Sequence, residues 1–255
     1  MMEEQLTTPV IRMEGLTRNF GTQTVVNNLS LTLARGSIFG LLGCNGSGKS
    51  TTLRMLSGLL EPTAGSIFIN GINLQAEPME IRRILGVLPE EAGLVELLSV
   101  REHLLMAGGA YGVPHGLAVE RAEKLLNFLG LWESRDKFPI ELSYGMVKKT
   151  ALAMALMHNP QILLLDEPFE GIDPALVSSL CNLFTSLAAK GVTIFLTSHS
   201  MALMQHLIHR FAVISSGSLV FEGSVADLDR TGSSLEDVFF RFVAPPCSKD
   251  LEWLG

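Results

Sequence analysis

Residues 43–50 read Gly-Cys-Asn-Gly-Ser-Gly-Lys-Ser, a complete phosphate-binding loop of the form G-x-x-x-x-G-K-[ST]. The loop stands between the apolar run 38–42, which is typical of a strand, and the helix-like run 52–56. This order directs backbone N–H groups and a helix N-terminus at one point, where a polyphosphate can bind. A helix N-terminus alone contributes only about 0.3–1 kcal/mol to anion binding. A triphosphate therefore also needs the charge of Lys49 and a magnesium ion held by Ser50.

A competing nucleotide motif, the dinucleotide fingerprint G-x-G-x-x-G, does not fit the same residues. Gly46 and Gly48 match its first two glycines, but Thr51 stands where the last one is required. A glycine-rich turn that matches the phosphate loop by chance is the other alternative, and the strand, loop and helix order argues against it. The sequence therefore predicts a nucleoside triphosphate site.

Two carboxylates follow a second apolar run and supply the groups that triphosphate hydrolysis needs besides the phosphate loop. Asp166 and Glu167 come directly after residues 162–165, which read Ile-Leu-Leu-Leu. Ligands of open α/β sheets bind beyond the carboxyl ends of the strands. We expect Asp166 to hold magnesium and Glu167 to polarise the attacking water, a type of help that contributes about 10²–10⁴-fold. An acidic turn after a strand explains this motif taken alone, but the phosphate loop upstream favours a hydrolase.

The elements that position these groups follow from the spacing of apolar residues. Short strands are predicted within residues 10–33 and then, further along, at 66–69, 162–165, 192–196 and 211–214. The stretch from about 92 to 157 is predicted to be helical. A further helix begins at Asp173-Pro174 and ends at Gly191, and its buried stripe is predicted to comprise Leu176, Leu180, Leu183 and Leu187. Alternating strands and helices predict an α/β fold with a mostly parallel sheet covered on both faces.

The composition excludes several classes of protein. The 255 residues carry a net charge of −7, so the chain lacks the basic footprint of a nucleic-acid-binding protein. Three cysteines without C-x-x-C spacing argue against a disulfide framework or a zinc site. The N-terminal residues lack the basic and apolar regions of a signal peptide, so a cytoplasmic location is expected. Mean hydropathy is +0.33, yet no apolar run approaches the roughly 18–20 residues of a membrane span. Two explanations of this hydropathy remain open: an unusually apolar core, or an apolar surface that contacts a partner.

One further segment narrows the class of ATPase. Residues 141–146 read Glu-Leu-Ser-Tyr-Gly-Met and precede a helix predicted over 147–157. Ser143 is a natural N-cap, and Gly145 is small enough to let backbone approach a ligand. In this position the segment resembles the LSGGQ signature of the ATP-binding cassette (ABC) family. The resemblance extends over about residues 10–240.

The resemblance implies a particular architecture. It is a P-loop NTPase (RecA-like) fold, a mostly parallel core sheet with an antiparallel β subdomain and an inserted helical signature subdomain. A single ABC ATPase domain is expected over residues 1–240, with its core at about 10–90 and 158–225. The helical subdomain is expected at about 91–157, and a C-terminal tail at 241–255.

The resemblance also assigns roles to residues, with ATP and Mg²⁺ as the ligands. Phe20 resembles the aromatic residue that stacks on adenine, and His199 the switch histidine at the γ-phosphate. Glu90 occupies the place of the Q-loop glutamine, and Asp173 lies in the D-loop. The expected catalytic residues are Lys49, Glu167 and His199, and the expected metal ligands are Ser50, Glu90 and Asp166. The expected nucleotide-binding residues are Phe20, Gly43, Cys44, Asn45, Gly46, Ser47, Gly48, Lys49, Ser50, Thr51, Ser143, Gly145 and Asp173.

Three features depart from the family pattern. Glu90 is an acid where an amide is usual, although some exporter ATPases with a similar Pro-Glu-Glu segment carry Glu here. Tyr144 and Met146 replace Gly and Gln in the signature, while Ser143 and Gly145 remain. Cys44 lies inside the phosphate loop, where we assign the thiol no chemical role.

In relatives the nucleotide lies between two head-to-tail domains, so the resemblance implies a second ABC subunit, identical or different. It also implies an integral-membrane permease that holds this chain at the cytoplasmic membrane face. Leu94, Val95, Leu97 and Leu98 are candidates for the permease cleft, and a helix core is the alternative for them. The ending 235–239 resembles the C-terminus of stand-alone exporter ATPases, and the segment 89–91 also resembles these ATPases, which favours export over import.

Other members of the family offer competing functions. A soluble regulatory or ribosome-associated ATPase is the alternative function. ABC ATPases that act on ribosomes usually carry two cassettes in one chain with a charged linker, and DNA-repair relatives carry long coiled coils. Neither feature is present, and the acidic composition predicts no nucleic-acid partner. A degenerate cassette that only binds ATP is disfavoured by the retained Lys49, Asp166, Glu167 and His199.

Overall fold

A computed structural model describes residues 9–243 of the chain. The strands are β1 Pro9–Phe20, β2 Gln23–Ala34, β3 Ile38–Leu42, β4 Ala64–Ile69, β5 Ile72–Asn73, β6 Leu85–Leu88, β7 Ile162–Asp166, β8 Thr193–Ser198, β9 Arg210–Ser215 and β10 Ser218–Ser224. The helices are α1 Lys49–Leu56, α2 Pro78–Arg82, α3 Val100–Ala110, α4 His115–Phe128, α5 Tyr144–Leu156, α6 Pro174–Ala189, α7 Met201–Gln205, α8 Val225–Thr231 and α9 Leu235–Phe242. Two short 3₁₀ turns, Trp132–Ser134 and Pro139–Glu141, lie between α4 and α5.

The central layer is a six-stranded sheet with the order β10-β9-β3-β8-β7-β6. Its strands β6, β7, β8, β3 and β9 are parallel, and only β10 pairs with its neighbour in the antiparallel sense. Asp166 at the end of β7 pairs with Thr197, and Leu42 at the end of β3 pairs with Ser198. The segments that leave β3, β6, β7 and β8 therefore emerge at one edge of the sheet, so the predicted mostly parallel sheet is confirmed.

A second sheet, with the order β2-β1-β4-β5, is antiparallel. The expectation of short strands in residues 10–33 is wrong, because β1 and β2 are twelve residues each. Their pairing contains several register shifts, one of them between Met13 and Leu16. Such bulges add an unpaired residue to one strand, and they break the apolar alternation that would have indicated long strands. The Asn70-Gly71 turn between β4 and β5 has positive φ at both residues, as a tight hairpin requires.

Two apolar cores cover the faces of the six-stranded sheet, because its side chains alternate between them. Phe39, Leu164 and Phe195 point toward the antiparallel sheet and α1. Leu163 and Leu196 point toward the opposite core, which α3, α4, α5, α6, α7 and α9 complete. No helix within residues 9–243 is long and apolar enough to cross a membrane.

The helix caps agree with the sequence-based prediction, whereas the start of α5 and the buried stripe of α6 differ from it. Ser143 accepts a hydrogen bond from Met146 N at 3.3 Å and caps α5, which begins at Tyr144 rather than at 147. Asp173 Oδ1 accepts from Leu176 N at 2.9 Å and caps α6, as predicted. The buried stripe of α6 is Val177, Leu180, Phe184 and Ala188, so three of the four predicted leucines are only half-buried beside it.

The stretch 92–157 contains α3, α4 and α5 and is helical as predicted. The single domain and its subdomain limits both stay predictions. The predicted tail at 241–255 overlaps α9, which runs to Phe242, and its part from residue 244 onward lies outside the described residues.

Candidate nucleotide-binding site

A cavity of about 290 Å³ lies at the edge of the sheet where β3, β6, β7 and β8 end. Its lining combines segments that are far apart in the sequence: Val25, Asn45, Gly46, Gly48, Lys49, Ser50, Thr51, Glu90, Glu167, Glu170 and His199. Most of the residues that the sequence predicted for catalysis and phosphate binding are thus brought together. The carboxylates on one side of the cavity face the phosphate loop on the other.

The phosphate loop leaves no room for side chains at two of its glycines. A Cβ added to Gly43 would lie 2.3 Å from Ser47 Oγ and 2.6 Å from Ile214 O. Gly48 has a φ of +107°, and its added Cβ would lie 2.7 Å from Val25 O. Because real Cβ atoms do not approach other atoms so closely, these positions require glycine. The tight turn directs the N-terminus of α1 toward the cavity.

Lys49 begins α1 and is 6% exposed. Its ammonium donates to Gly43 O at 2.8 Å and to Cys44 O at 3.2 Å, so it lies across the loop that it belongs to. The Ser47 hydroxyl is buried and has no hydrogen-bond partner in the described part of the chain. A buried polar atom without a partner is costly, and an oxygen-rich ligand in this loop would satisfy it.

Asp166 ends β7 and is 1% exposed. The Thr197 hydroxyl on the neighbouring strand donates to its Oδ1. Burial raises the pKa of this carboxyl, hydrogen bonds from Thr197 and Ser50 oppose the rise, and the charges of Glu90 and Glu167 add to it. A buried carboxylate that touches Ser50 and faces other carboxylates is suited to a divalent cation, because hard cations prefer oxygen ligands.

Glu167 turns away from the strand with a φ of +46°, which is unusual for a residue with a side chain. Its backbone N–H donates to Thr197 Oγ1 at 3.1 Å, which holds this turn. Its Oε2 lies 3.0 Å from His199 Nδ1 and accepts from His199 N at 3.3 Å. Its Oε1 is buried without a hydrogen-bond partner among residues 9–243. One carboxylate oxygen is therefore held by His199, and the other has no hydrogen-bond partner among the described residues.

Seven predicted nucleotide-binding residues do not line the cavity: Gly43, Cys44 and Ser47 within the phosphate loop, and Phe20, Ser143, Gly145 and Asp173 outside it. Phe20 is 48% exposed at the end of β1, and the Arg18 guanidinium lies 4.6 Å from the centre of its ring. Ser143, Gly145 and Asp173 lie at the start of α5 and α6, where Ser143 and Asp173 serve as N-caps. Their predicted contacts with nucleotide stay predictions.

Sequence reasoning missed three residues of the site. Glu170 and Val25 line the cavity, and Thr197 holds both Asp166 and the backbone of Glu167. Two of them carried a signal, since Glu170 follows Glu167 by three residues and Thr197 precedes His199 by two. Val25 carried none, because it reaches the cavity through the pairing of the antiparallel sheet.

Cys44 yields a prediction of its own, because its side chain is exposed within the phosphate loop. We expect a maleimide to inhibit ATP hydrolysis and MgATP to protect, since an adduct there would occupy the space of the phosphates. The Cys44→Ser variant should stay active and resist the reagent, and half-buried Cys181 provides the internal control. Full labelling of Cys44 with no loss of nucleotide binding would contradict this expectation.

The parallel sheet, the phosphate loop and the carboxylates at the strand ends define a P-loop nucleoside triphosphatase. The family model "ABC transporter" matches residues 26–170. The linearmycin resistance ATP-binding protein LnrL of Bacillus subtilis (strain 168) is 36% identical over 86% of this chain and 70% of its own length. The Nod factor export ATP-binding protein I of Rhizobium sp. (strain N33) is 40% identical over 84% of this chain and 70% of its own length.

Among solved structures, a dimeric ATP-binding cassette in a post-hydrolysis state with ADP and Pi is 25% identical. It superposes with a TM-score of 0.77 and covers 84% of this chain and 98% of that one. The chain therefore belongs to the ABC transporter family, and it is an ATPase subunit of the ABC type. The family and the P-loop NTPase fold that the sequence predicted are both confirmed.

Proposed function

We propose that this chain is the ATP-hydrolysing subunit of an exporter, in which two cassettes close head to tail on ATP and drive a separate membrane permease. Support for export comes from the relatives, whose names describe linearmycin resistance and Nod factor export. The observation that carries the proposal is the content of the cavity. It joins the phosphate loop to Glu167 and His199 but lacks Ser143 and Gly145.

This division of the site supports the dimer. Ser143 and Gly145 would contact a γ-phosphate in the ABC mechanism, yet they do not line their own cavity. A second cassette that supplies its own Ser143 and Gly145 would complete the site. The dimeric structure of the related cassette supports the same arrangement.

We propose Ser50, Asp166 and Glu90 as the groups that hold Mg²⁺. Ser50 and Glu90 line the cavity; a hydrogen bond from Ser50 lowers the pKa of Asp166, and the charge of Glu90 raises it. A carboxylate at Glu90 adds a negative ligand where an amide is usual, which suits an oxygen-preferring cation. When bound, the ion would neutralise phosphate charge and orient the leaving group.

In the proposed mechanism Glu167 accepts the proton of the attacking water through Oε1, the oxygen without a partner. His199 holds the other oxygen at 3.0 Å and so fixes the orientation of the carboxylate. Lys49, which now contacts loop carbonyls, would turn its ammonium to the β- and γ-phosphates. These residues would position the reacting groups and stabilise the charge of the transition state, which is what phosphoryl transfer requires of a protein.

The permease would dock on the segment 93–98 between β6 and α3. The alternative that these leucines form a helix core is wrong, because the segment is a loop. Leu97 is 84% exposed and Val95 is 46% exposed, so this loop presents apolar side chains to the surface. Contiguous exposed apolar groups are typical of interaction sites.

The proposal is tested by affinity purification of the tagged chain from detergent-solubilised native membranes, followed by mass spectrometry. We expect a multi-spanning protein in stoichiometric amount, and its identity would indicate the cargo. Leu97→Asp should lower its recovery, whereas Met79→Asp, an equally drastic change at another exposed site, should not. Recovery of the wild type only in the soluble fraction or with ribosomes would contradict the transport function and favour a soluble regulatory ATPase.

A further inference from the structure

Glu170 lines the nucleotide cavity, but no step of the proposed hydrolysis uses it. It lies in the loop 167–173, which connects β7 to α6, and its backbone N–H donates to Glu167 O at 3.2 Å. Its carboxylate is half-exposed, with 47% of the side chain accessible. A third carboxylate at a phosphate site repels the ligand unless other groups compensate its charge.

The compensating groups come from the first turn and a half of α5. The Tyr144 hydroxyl donates to Glu170 Oε2 at 3.1 Å, and the Lys148 ammonium lies 3.5 Å from the same oxygen. Tyr144 and Lys148 are four residues apart and therefore share one face of the helix. The Lys148 side chain is only 3% exposed, and a buried ammonium is costly unless it is paired. Glu170 supplies that pairing.

The backbone of the two segments is also in close contact. A Cβ added to Gly145 would lie 2.3 Å from Gly171 O, and one added to Gly171 would lie 2.6 Å from the Tyr144 ring. Lys149 pairs with Asp173 at 3.2 Å one turn further along. These contacts tie the start of α5 to the loop 167–173. The same loop begins with Glu167.

We propose that Tyr144, Lys148 and Glu170 form a latch that couples the chain's own nucleotide cavity to its own Ser143 and Gly145. The inference rests on the proposed head-to-tail dimer, in which Ser143 and Gly145 act on the nucleotide of the second cassette. A change at Glu167 and Glu170 when ATP binds then shifts the groups that complete the other site. Glu170 is a positioning residue in this scheme, and the latch makes the two ATP sites cooperative.

The test measures ATPase rate against ATP concentration for the purified full-length chain. Wild type is expected to show a Hill coefficient above one, since coupled sites in a dimer give values up to the number of sites. Tyr144→Phe removes only a hydroxyl from a ring that is 55% exposed, and Glu170→Gln removes only the charge. Each should bring the Hill coefficient toward one and lower kcat about tenfold, and Tyr144→Phe, whose residue does not line the cavity, should keep nucleotide binding to the monomer.

Two further comparisons make the test specific. The double variant should lose no more than either single one, because both remove the same latch. Tyr111→Phe is the matched control, since Tyr111 and Tyr144 are the only tyrosines and Tyr111 stacks on His158 instead. It should keep both the Hill coefficient and kcat.

Several outcomes would overturn the inference. Unchanged Hill coefficient and kcat in Tyr144→Phe and Glu170→Gln would refute the latch while leaving the dimer intact. A lower melting temperature of these variants with unchanged cooperativity would show that the contacts only stabilise the fold. That outcome would also refute the latch. A wild type that hydrolyses ATP without cooperativity, and whose Glu167→Gln variant stays monomeric with MgATP, would instead refute the dimer and the latch together.

Discussion

Replacing Glu167 by glutamine is expected to lower the rate of ATP hydrolysis about 10²–10⁴-fold while ATP still binds. The amide keeps the size of the side chain and can still contact His199, which lies 3.0 Å from Oε2. It cannot accept a proton at Oε1, the buried oxygen without a partner in the described chain. The chemical step should therefore fail while the geometry of the cavity is preserved.

The second expected effect of Glu167→Gln is accumulation of the closed dimer. If hydrolysis releases the two cassettes, a variant that binds but does not hydrolyse ATP stays closed. Size-exclusion chromatography with light scattering should show a dimer with MgATP and a monomer with MgADP. Glu222→Gln, a change on β10 where the carboxylate pairs with Arg210, is the matched control and should behave as wild type. A monomeric Glu167→Gln protein at saturating MgATP would count against the sandwich mechanism.

The parts of the site that the sequence predicted are those with local or topological rules. The phosphate loop is contiguous, so its residues define its geometry directly. Glu167 and His199 are 32 residues apart, yet both directly follow strands that the apolar runs indicate. Since β7 and β8 are adjacent and parallel, the two residues meet at one edge of the sheet.

Other features lay beyond sequence reasoning, because they depend on packing between irregular segments. The contact of Tyr144 with Glu170 joins a helix start to a loop 26 residues away, and no periodicity relates the two. In α6 almost every position on one side is apolar, so the pattern predicts which side of the helix is buried but not which residues are buried most deeply. The large side chain of Phe184 is fully buried in the core, and the buried face of the helix is centred on it.

The core also explains the high hydropathy only in part. The buried residues of the two clusters account for apolar strands on both faces of the six-stranded sheet. Leu97, Met79 and Ile140 remain exposed, Ile140 by 95%. The rich core is therefore confirmed, and a partner surface stays a prediction.

Lys49→Ala is expected to lower kcat/KM for ATP about 10²–10³-fold, comparable to the loss of one strong donor at a developing charge. The ammonium is the cationic group of the phosphate loop, and it already lies within 2.8 Å of Gly43 O. Removing it leaves the γ-phosphate facing Glu90, Glu167 and Glu170 without this compensation. Lys49→Arg should not restore activity, because the planar guanidinium is larger and directs its donors differently.

Thermal unfolding separates this loss of binding from a loss of fold. A ligand at about 100 times its Kd stabilises by about 2.7 kcal/mol, which raises the Tm of a chain of this size by about 5–10 °C. Wild type and the control Lys124→Ala, a change at an exposed pair on α4, should show this rise with MgATP. Lys49→Ala should keep a cooperative transition without nucleotide and show little rise with it. A full rise in Lys49→Ala would mean that the triphosphate binds without this ammonium, and the assignment of the phosphate site would have to be abandoned.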